Sequence, residues 1–398
     1  MHQSEWHREK FGDFFDIRSG VGFKYDEYVN SGIPLVKIDN VSHGFIKWEN
    51  RSYLPESYVN DFPEIVLKEG DILLALNRPI TRGQLKIARI SASDLPAILY
   101  QRVGKIIALT EQTLPNFYYY LFDRLIFRFV SRKSIGSDQP FISITDLKKE
   151  PIPLPPVTEQ KKIAQILSTW DQAITATERL LENSQQRKKG LMQQLLTGRK
   201  RLPGFEGEFK ATSLSAAATI TMGTSPKSAA YNSIGDGLPL LQGNADIEGR
   251  RSKPRVFTSE VTKVCQLGDI LLSVRAPVGS VATSNHDACI GRGICAIKAK
   301  NKNNQEFLYQ WMLWYEPRWA GLSQGSTFES VNSSDLKNLE IKLPEPAEQK
   351  AISNVLSVAD RESELLENRL DQLKQEKKAL MQQLLTGKRR VQVDTEAA

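Results

Sequence analysis

The chain contains the same helical segment twice, 189 residues apart. The run LMQQLLTG occupies residues 191–198 and again residues 380–387. Over residues 154–198, compared without a gap, 22 of the 45 positions are identical to their partners 189 residues later. A stretch long enough to fold alone precedes each copy, so the order is globule, helix, globule, helix. A duplicated chain of this kind can fold about an internal pseudo-twofold axis, as a homodimer does about a real one.

Both copies carry a heptad repeat, which predicts two long helices that pack along one seam. The seam positions follow a 4-3-4-3 spacing from Ile163 to Leu195 and again from Ile352 to Leu384. This spacing is typical of a coiled coil, and each helix of about 40 residues spans about 60 Å. We predict an antiparallel pair, because a pseudo-twofold axis perpendicular to the helices reverses their direction. Lys188 and Lys377 fall on the seam, where they either cover apolar surface with their stems or fix the register as polar pins.

The sequence also predicts where the helices end and which faces they expose. Thr158 is placed to cap the first helix, and Gly198 and Gly387 stand where a glycine ends a helix. With the seam buried, two near-identical patches are expected to face outward and to bind two copies of one partner. They comprise Glu159–Lys161 with Gln193 and Gln194, and Glu348–Lys350 with Gln382 and Gln383.

The two globules are predicted to be mixed α/β domains on a shared scaffold. Apolar runs bounded by turn residues predict strands at Ile33–Ile38, Asp71–Leu76, Gly104–Leu109, Leu238–Leu241, Asp269–Val274 and Ile290–Ile297. Aromatic stretches at Phe117–Phe129 and Glu306–Trp319 predict one helix near the end of each globule. The motif GDILL occurs in both globules, at residues 70–74 and 268–272, while the segments around it differ in length. Because loops carry specificity, divergent loops on one scaffold favour two different recognition tasks.

The fold class that follows is α+β, with two mixed sheet/helix domains joined by two long antiparallel coiled-coil helices and related by internal duplication. The domain boundaries that we predict are 1–157 for the first globule, 158–203 for the first long helix, 204–346 for the second globule, 347–390 for the second long helix and 391–398 for a tail.

Charge and composition limit the function classes. The net charge is +7, and residues 158–203 hold nine Lys and Arg against four Asp and Glu. This excess permits a polyanion partner, but charge alone favours a solvated helix end whose basic residues complement the helix dipole. Three cysteines without CxxC spacing, no apolar signal segment and no long apolar run predict a cytoplasmic protein without disulfides or zinc. There is no phosphate-binding loop, no dinucleotide fingerprint and no nucleophile elbow, so we expect a binding protein with no cofactor and no catalytic residues.

The duplicated, proline-led helices give the chain a family resemblance. The segments LPPVTEQKKIAQILS and LPEPAEQKAISNVLS, each followed by LMQQLLTG and a basic run, resemble the specificity (S) subunits of type I restriction–modification enzymes over essentially the whole chain. Supporting motifs are GDILLALNRPITRG and GDILLSVRAPVGSVA. The resemblance implies that each recognition domain reads one half of a split, asymmetric DNA sequence. It implies an antiparallel helical spacer, two docked methyltransferase (M) subunits and added restriction/translocase (R) subunits.

Candidate DNA contacts are polar side chains in loops beside the shared motifs, since Arg and Lys read guanine, Asn and Gln read adenine, and Ser and Thr read either. In the first domain they are Arg78, Thr81, Arg82, Gln84, Lys86, Gln101, Arg102, Ser137 and Gln139, with Lys24 expected on phosphate. In the second they are Gln242, Asn244, Arg275, Arg292, Gln324, Ser326 and Thr327, with Lys227 on phosphate.

Three alternatives remain open at this stage. The chain could serve a type IIB or related system, or be a coiled-coil scaffold that never contacts DNA. A self-contained nuclease or methyltransferase is disfavoured by the missing motifs.

Overall fold

The computed structural model describes residues 6–133, 141–300, 302–323 and 330–392. The chain divides into two compact units, one made of Met1–Thr175 and Asp371–Ala398 and the other of Ala176–Leu370. Each unit therefore combines one globule with a part of both long helices. This division cuts through the helices, whereas the boundaries predicted from the sequence separate helices from globules and stay a prediction.

The two long helices run over Val157–Leu195 and Pro346–Leu384, with 39 residues each. None of the predicted seam side chains is exposed, as a heptad requires. Thr158 is not a cap, because the first helix already begins at Val157 and Thr158 lies exposed in its first turn. Gly198 and Gly387 both adopt φ +71°, the left-handed conformation that ends a helix at low cost for glycine.

The long helices pair antiparallel within each unit, as predicted. In the second unit, Ser184 Oγ lies 3.1 Å from Ser363 Oγ, and the Lys188 amine pairs with Asp360. In the first unit, the Lys377 amine pairs with Asp171. Between the two pairs of the second unit, the residue number rises from 184 to 188 on the first helix and falls from 363 to 360 on the second, so the helices are antiparallel. Both seam lysines thus hold a carboxylate of the opposite helix, which favours the register pin over mere coverage of apolar surface.

The first globule is built on small sheets. The four-stranded sheet has the antiparallel order Phe15–Ser19, Val103–Ala108, Ile72–Ala75 and Ile87–Arg89. The three-stranded sheet has the order Tyr53–Leu54, Ile33–Val36 and Ile98–Leu99, and its last pair is parallel. Two further strand pairs are His7–Lys10 with Pro151–Leu154, and the hairpin Ile80–Thr81 with Gln84–Leu85. Single helical turns occupy Phe11–Phe14, Tyr58–Asp61 and Ile144–Leu147.

The second globule repeats this plan, with more strands in each of its two main sheets. The six-stranded sheet has the order Ala218–Met222, Ile294–Ala299, Ile270–Ser273, Val281–Thr283, Arg251–Ser252 and Ile247–Glu248. The five-stranded sheet has the order Tyr231–Asn232, Val256–Thr258, Leu238–Leu241, Ala288–Ile290 and Val264–Cys265. Lys210–Ser213 pairs with Glu340–Leu343, and short helices occupy Leu214–Ala217 and Ser333–Lys337.

One predicted strand is wrong. The run Ile290–Ile297 is divided between two strands, Ala288–Ile290 and Ile294–Ala299, which belong to different sheets. Gly291, Arg292 and Gly293 turn the chain between them. Cys289 and Cys295 lie on these two strands and Cys265 lies on the strand Val264–Cys265, and all three cysteines are free and buried.

Each globule contributes one helix that packs its core against the long helices. These are the first domain helix, Pro115–Lys133, and the second domain helix, Gln305–Ser323. In the first unit, Phe117 and Phe122 share a buried cluster with Ile163, Leu167 and Leu384. In the second, Phe307 and Trp311 share one with Leu195 and Ile352. In each unit, apolar burial in the globule therefore anchors the long helices.

Candidate nucleic-acid interface

Four candidate residues of the second unit line one pocket. Gln242, Asn244, Arg275 and Arg292 come from three different loops and surround a concavity of about 530 Å³. Ser225, Ser228 and Tyr231 complete its polar wall. Gln242, Arg275 and Arg292 are exposed, so their amide and guanidinium groups are free to meet a ligand. Amide and guanidinium groups converging on one surface suit the donor and acceptor pattern of base edges.

The shape of the Gln242–Asn244 loop is fixed by a buried carboxylate. Asp246 is 3% exposed, and its Oδ2 accepts hydrogen bonds from the backbone N–H groups of Gln242 at 2.8 Å and Gly243 at 3.4 Å. Its Oδ1 accepts one from Arg255 Nε at 2.9 Å. The loop is held before any ligand arrives, which lowers the entropy cost of binding.

Arg292 is oriented by the neighbouring loop. Ser225 Oγ accepts from the Arg292 backbone N–H at 3.2 Å and from its Nε at 3.4 Å. The next residue must be small, because a Cβ on Gly293 would lie 2.2 Å from the carbonyl oxygen of Gln242. The loops that carry Gln242 and Arg292 therefore touch through their backbones, and glycine permits this approach.

The candidates of the first unit gather at the equivalent place. The Leu76 N–H donates to Arg102 O at 2.9 Å, as the Val274 N–H donates to Gly293 O at 2.9 Å. The Gln101 N–H donates to Val21 O at 3.1 Å, which brings the loop of Lys24 alongside. Arg78, Gln101 and Arg102 are exposed, as are Thr81, Arg82 and Gln84 on the adjoining hairpin. Thr81 Oγ1 lies 3.2 Å from His43 Nε2.

Three of the predicted arginines hold a backbone conformation that side-chain-bearing residues rarely adopt. Arg78, Arg82 and Arg102 have φ values of +47°, +51° and +69°. Within the described ranges Arg250 is the one further non-glycine residue with positive φ. Such positions cost about 1–3 kcal/mol and cluster at functional sites. Glycine would adopt these conformations at lower cost, so the three arginines are candidates for a functional role.

Lys86 does not belong to this surface. It is 8% exposed, and its amine donates to the carbonyl of Ile38. Burial lowers the pKa of the Lys86 amine. Leu85, Lys86 and Ile87 are buried in succession, because both faces of this segment are covered. Lys86 is therefore a structural residue and leaves the set of proposed contacts.

The remaining candidates divide into two groups. Lys24 and Lys227 are exposed at the ends of equivalent loops, where a phosphate can reach them. Ser137, Gln139, Gln324, Ser326 and Thr327 lie outside the described residues.

Sequence reasoning missed the side chains that shape the loops. Asp246 has a counterpart in Asn40, which is 2% exposed and accepts from the Lys37 N–H at 2.9 Å through its Oδ1. Both follow the matching strands Ile33–Val36 and Leu238–Leu241 within five residues. An Asn or Asp placed three or four residues after the first residue of a loop can accept from that residue's backbone N–H, and this pattern could have identified both side chains. Tyr231, which donates to Pro226 O at 3.1 Å, gave no such signal.

The predicted outward patches at the helix starts are wrong in part. Glu159, Gln160, Glu348 and Gln349 are all buried. Arg390 forms a two-pronged ion pair with Glu159, and Arg201 forms one with Glu348. Gln160 accepts from the Leu114 N–H at 2.8 Å, and Gln349 accepts from the Asn304 N–H at 2.9 Å. The two glutamines join each long helix to its globule, and the two ion pairs join the start of one long helix to the segment after the other. Lys161, Lys350 and the Gln-Gln pairs stay exposed.

The described residues hold no group of three or more metal-binding side chains. Nor does any helix among them have the length and apolarity needed to cross a bilayer.

Comparisons with known proteins agree on one family. The family model described as the type I restriction modification DNA specificity domain matches residues 3–183 and 255–375. The chain named MjaX specificity subunit, of a type I restriction enzyme in Methanocaldococcus jannaschii, is 30% identical over 407 residues, which cover 97% of this chain and 94% of that one. The EcoAI specificity subunit of Escherichia coli is 31% identical over 177 residues, 44% of this chain and 29% of that one.

Solved structures show the same fold. A chain from work on complex assembly and conformational transition of the type I R-M system matches with a TM-score of 0.62 and 26% identity, covering 97% of this chain and 98% of that one. The type I S subunit of M. genitalium matches with a TM-score of 0.65 at 15% identity, covering 96% of this chain and 97% of that one, and supports the fold alone.

The fold and its relatives define a non-catalytic component of a DNA restriction–modification system. More narrowly, this chain belongs to the specificity subunits of type I restriction–modification enzymes.

Proposed function

We propose that the chain reads a bipartite, asymmetric sequence in double-stranded DNA of the cytoplasm, one half with each globule. The observation that carries this proposal is that equivalent positions on one scaffold hold different base-reading groups. Gln101 in the first globule stands where Arg292 stands in the second, because the residues that follow them accept equivalent backbone hydrogen bonds. Since amides suit adenine and guanidinium groups suit guanine, the two half-sites differ in sequence.

In this proposal the exposed lysines act on the DNA backbone. Lys24 and Lys227 stand at matching loop ends and supply contacts to phosphate, which set the position of each domain without reading sequence. The candidates named above for base edges supply the specificity.

The long helices are proposed to set the spacer and to carry two methyltransferase subunits. Gln193-Gln194 and Gln382-Gln383 are exposed and identical in the two copies. Identical exposed groups on the two copies can bind two copies of one partner. Restriction/translocase subunits complete the proposed complex.

A domain exchange tests the reading of half-sites. Replacing residues 1–150 by the same region of another specificity subunit, in cells that hold the methyltransferase, should change one half of the methylated motif and leave the other half intact. Methylome sequencing reads the result directly. A change in both halves, or in neither, contradicts the assignment of one half-site to each globule.

Two further measurements separate the alternatives. A scaffold that never contacts DNA shows no binding, whereas phosphate contacts make affinity fall steeply between two salt concentrations. Native mass measurement of the co-expressed complex should give one specificity subunit for two methyltransferase subunits, and a 1:1 complex at saturation contradicts the docking proposal.

A further inference from the structure

Each unit contains a network that joins its domain helix to both long helices. In the first unit, Asp171 of the first long helix holds the Lys377 amine of the second, and its other oxygen accepts from the Tyr120 hydroxyl at 2.6 Å. In the second unit, Asp360 holds the Lys188 amine, and its other oxygen accepts from Gln310 Nε2 at 2.7 Å. Tyr120 and Gln310 lie on the first and second domain helices. We call each three-residue set a clamp.

The two clamps correspond residue for residue. Asp171 and Lys188 recur 189 positions later as Asp360 and Lys377, so each long helix donates the aspartate of one clamp and the lysine of the other. The third members differ in kind, a phenol in one unit and an amide in the other, yet both donate to the same carboxylate oxygen. Because two different side chains make the same hydrogen bond, we infer that the bond to the aspartate matters and not the residue type that makes it.

The clamps are placed where a hydrogen bond has a large effect. Tyr120 is 4% exposed and Gln310 is fully buried, while the lysine side chains are below a fifth exposed. Lys377 Nζ also lies 5.2 Å from the centre of the Tyr120 ring. Burial, together with the bond to Asp171, raises the pKa of Tyr120, which keeps the hydroxyl protonated as a donor. A donor fixed to a charged, half-buried acceptor gives directional contact that apolar packing lacks.

We propose that Tyr120 and Gln310 are positioning residues that fix the angle of each recognition domain on the helix pair, and so determine how strictly the enzyme enforces the spacer between its half-sites. This inference rests on the proposed function and adds to it. Apolar contacts of the domain helices supply the affinity of each globule for the helices. The clamps restrain the angle within each domain helix, in addition to the bonds of Gln160 and Gln349 just before its start. An apolar contact can slide along a seam, whereas a charged hydrogen bond holds two atoms together.

The test removes only the domain-helix member of each clamp. Tyr120→Phe and Gln310→Met keep nearly the same volume and leave the lysine–aspartate pairs in place. The full chain, co-expressed with its methyltransferase subunits, is assayed on DNA with the native spacer and with spacers one base pair shorter or longer. We expect the double variant to lose about tenfold of its preference for the native spacer, from the loss of two charge-assisted hydrogen bonds. Each single variant should fall between, and both half-site sequences should stay the same.

The matched control is Glu362→Gln, which breaks the Arg187–Glu362 pair between the same two helices at an exposed position. It should leave the spacer preference unchanged. If Tyr120→Phe and Gln310→Met lower the melting temperature but keep the native preference, the clamps are structural only and the inference is overturned. If the wild-type complex itself methylates no bipartite motif, the proposed function fails instead, so the two failures are distinguishable.

Discussion

Arg292 is an exposed side chain with a fixed direction. Its backbone and its Nε both donate to Ser225 Oγ, and the glycine after it lets the Gln242 loop come close. The guanidinium keeps its terminal nitrogens for a ligand, which is the geometry that reading guanine requires. A surface residue of this kind loses little entropy on binding.

We predict that Arg292→Ala costs about 1–3 kcal/mol of discrimination at one base pair in the second half-site and leaves the first half-site unaffected. Arg318→Ala is the control, because it removes the same charge from an arginine that lies 3.7 Å above the Trp314 ring. Binding to a panel of single-base variants measures the effect. An equal loss on every sequence, with a shallower salt dependence, would assign Arg292 to phosphate instead.

The arginines with positive φ lead to a second prediction at the residue scale. Arg82 has φ +51°, which costs an L-residue about 1–2 kcal/mol but costs glycine little. Arg82→Gly is therefore expected to leave stability unchanged or raise it by up to about 1 kcal/mol, while it weakens DNA binding. Arg82→Ala should weaken binding equally and give no gain in stability. Denaturant unfolding and DNA titration, run on the same samples, separate the two effects; a loss of stability in the glycine variant contradicts this account.

At the scale of elements, a buried acid near the start of each long helix pairs with an arginine in the segment that follows the other long helix. The Glu159 side chain is 7% exposed and that of its partner Arg390 is 19% exposed, so little water screens the pair. Removing one member leaves an uncompensated charge, and this costs more than the pair itself contributes.

We therefore expect Arg390→Ala to destabilise the first unit by about 3 kcal/mol, and the addition of Glu159→Gln to recover part of that loss. Lys210→Ala breaks the exposed Lys210–Glu345 pair and serves as the control with no expected change. Calorimetry of the full chain measures all three. Additive losses in the Arg390–Glu159 double variant would show that the two residues do not act as a pair.

Elements with a strong period were predictable from the sequence, and contacts that depend on tertiary burial were not. The heptads, with proline before and glycine after, placed both long helices within a few residues. Extending the heptad three residues back from Ile163 reaches Gln160, yet a glutamine gave no sign that it would be buried. The predicted loops of the second domain do meet, because they follow adjacent strands. Lys86 was misplaced, because a single charged residue does not reveal that both faces of its segment are covered.

At the scale of the whole molecule, we predict that the length of the coiled coil sets the distance between the two half-sites. Inserting four residues after Thr177 adds about 6 Å and roughly one helical turn, so the seam is nearly kept. The unread spacer in the methylated motif should grow by one or two base pairs, with both half-sites unchanged.

A two-residue insertion at the same point is the control. It rotates the following seam by about 200° and should abolish activity. Methylome sequencing of each variant gives the answer, and an active four-residue variant with an unchanged spacer would show that the helices do not set the distance.

The first unit is built from two separate stretches of the chain, which delays its folding during synthesis. Its core takes Leu384 and Leu385 from a segment that follows the whole second unit in the chain. At about 5–20 residues per second, the ribosome needs roughly 10–40 s to make the intervening residues 176–370. During that interval Ile163 and Leu167 lack their partner helix, so the earlier-made globule is the later to finish. Chaperone demand and proteolytic risk therefore fall on the half of the protein that is translated first.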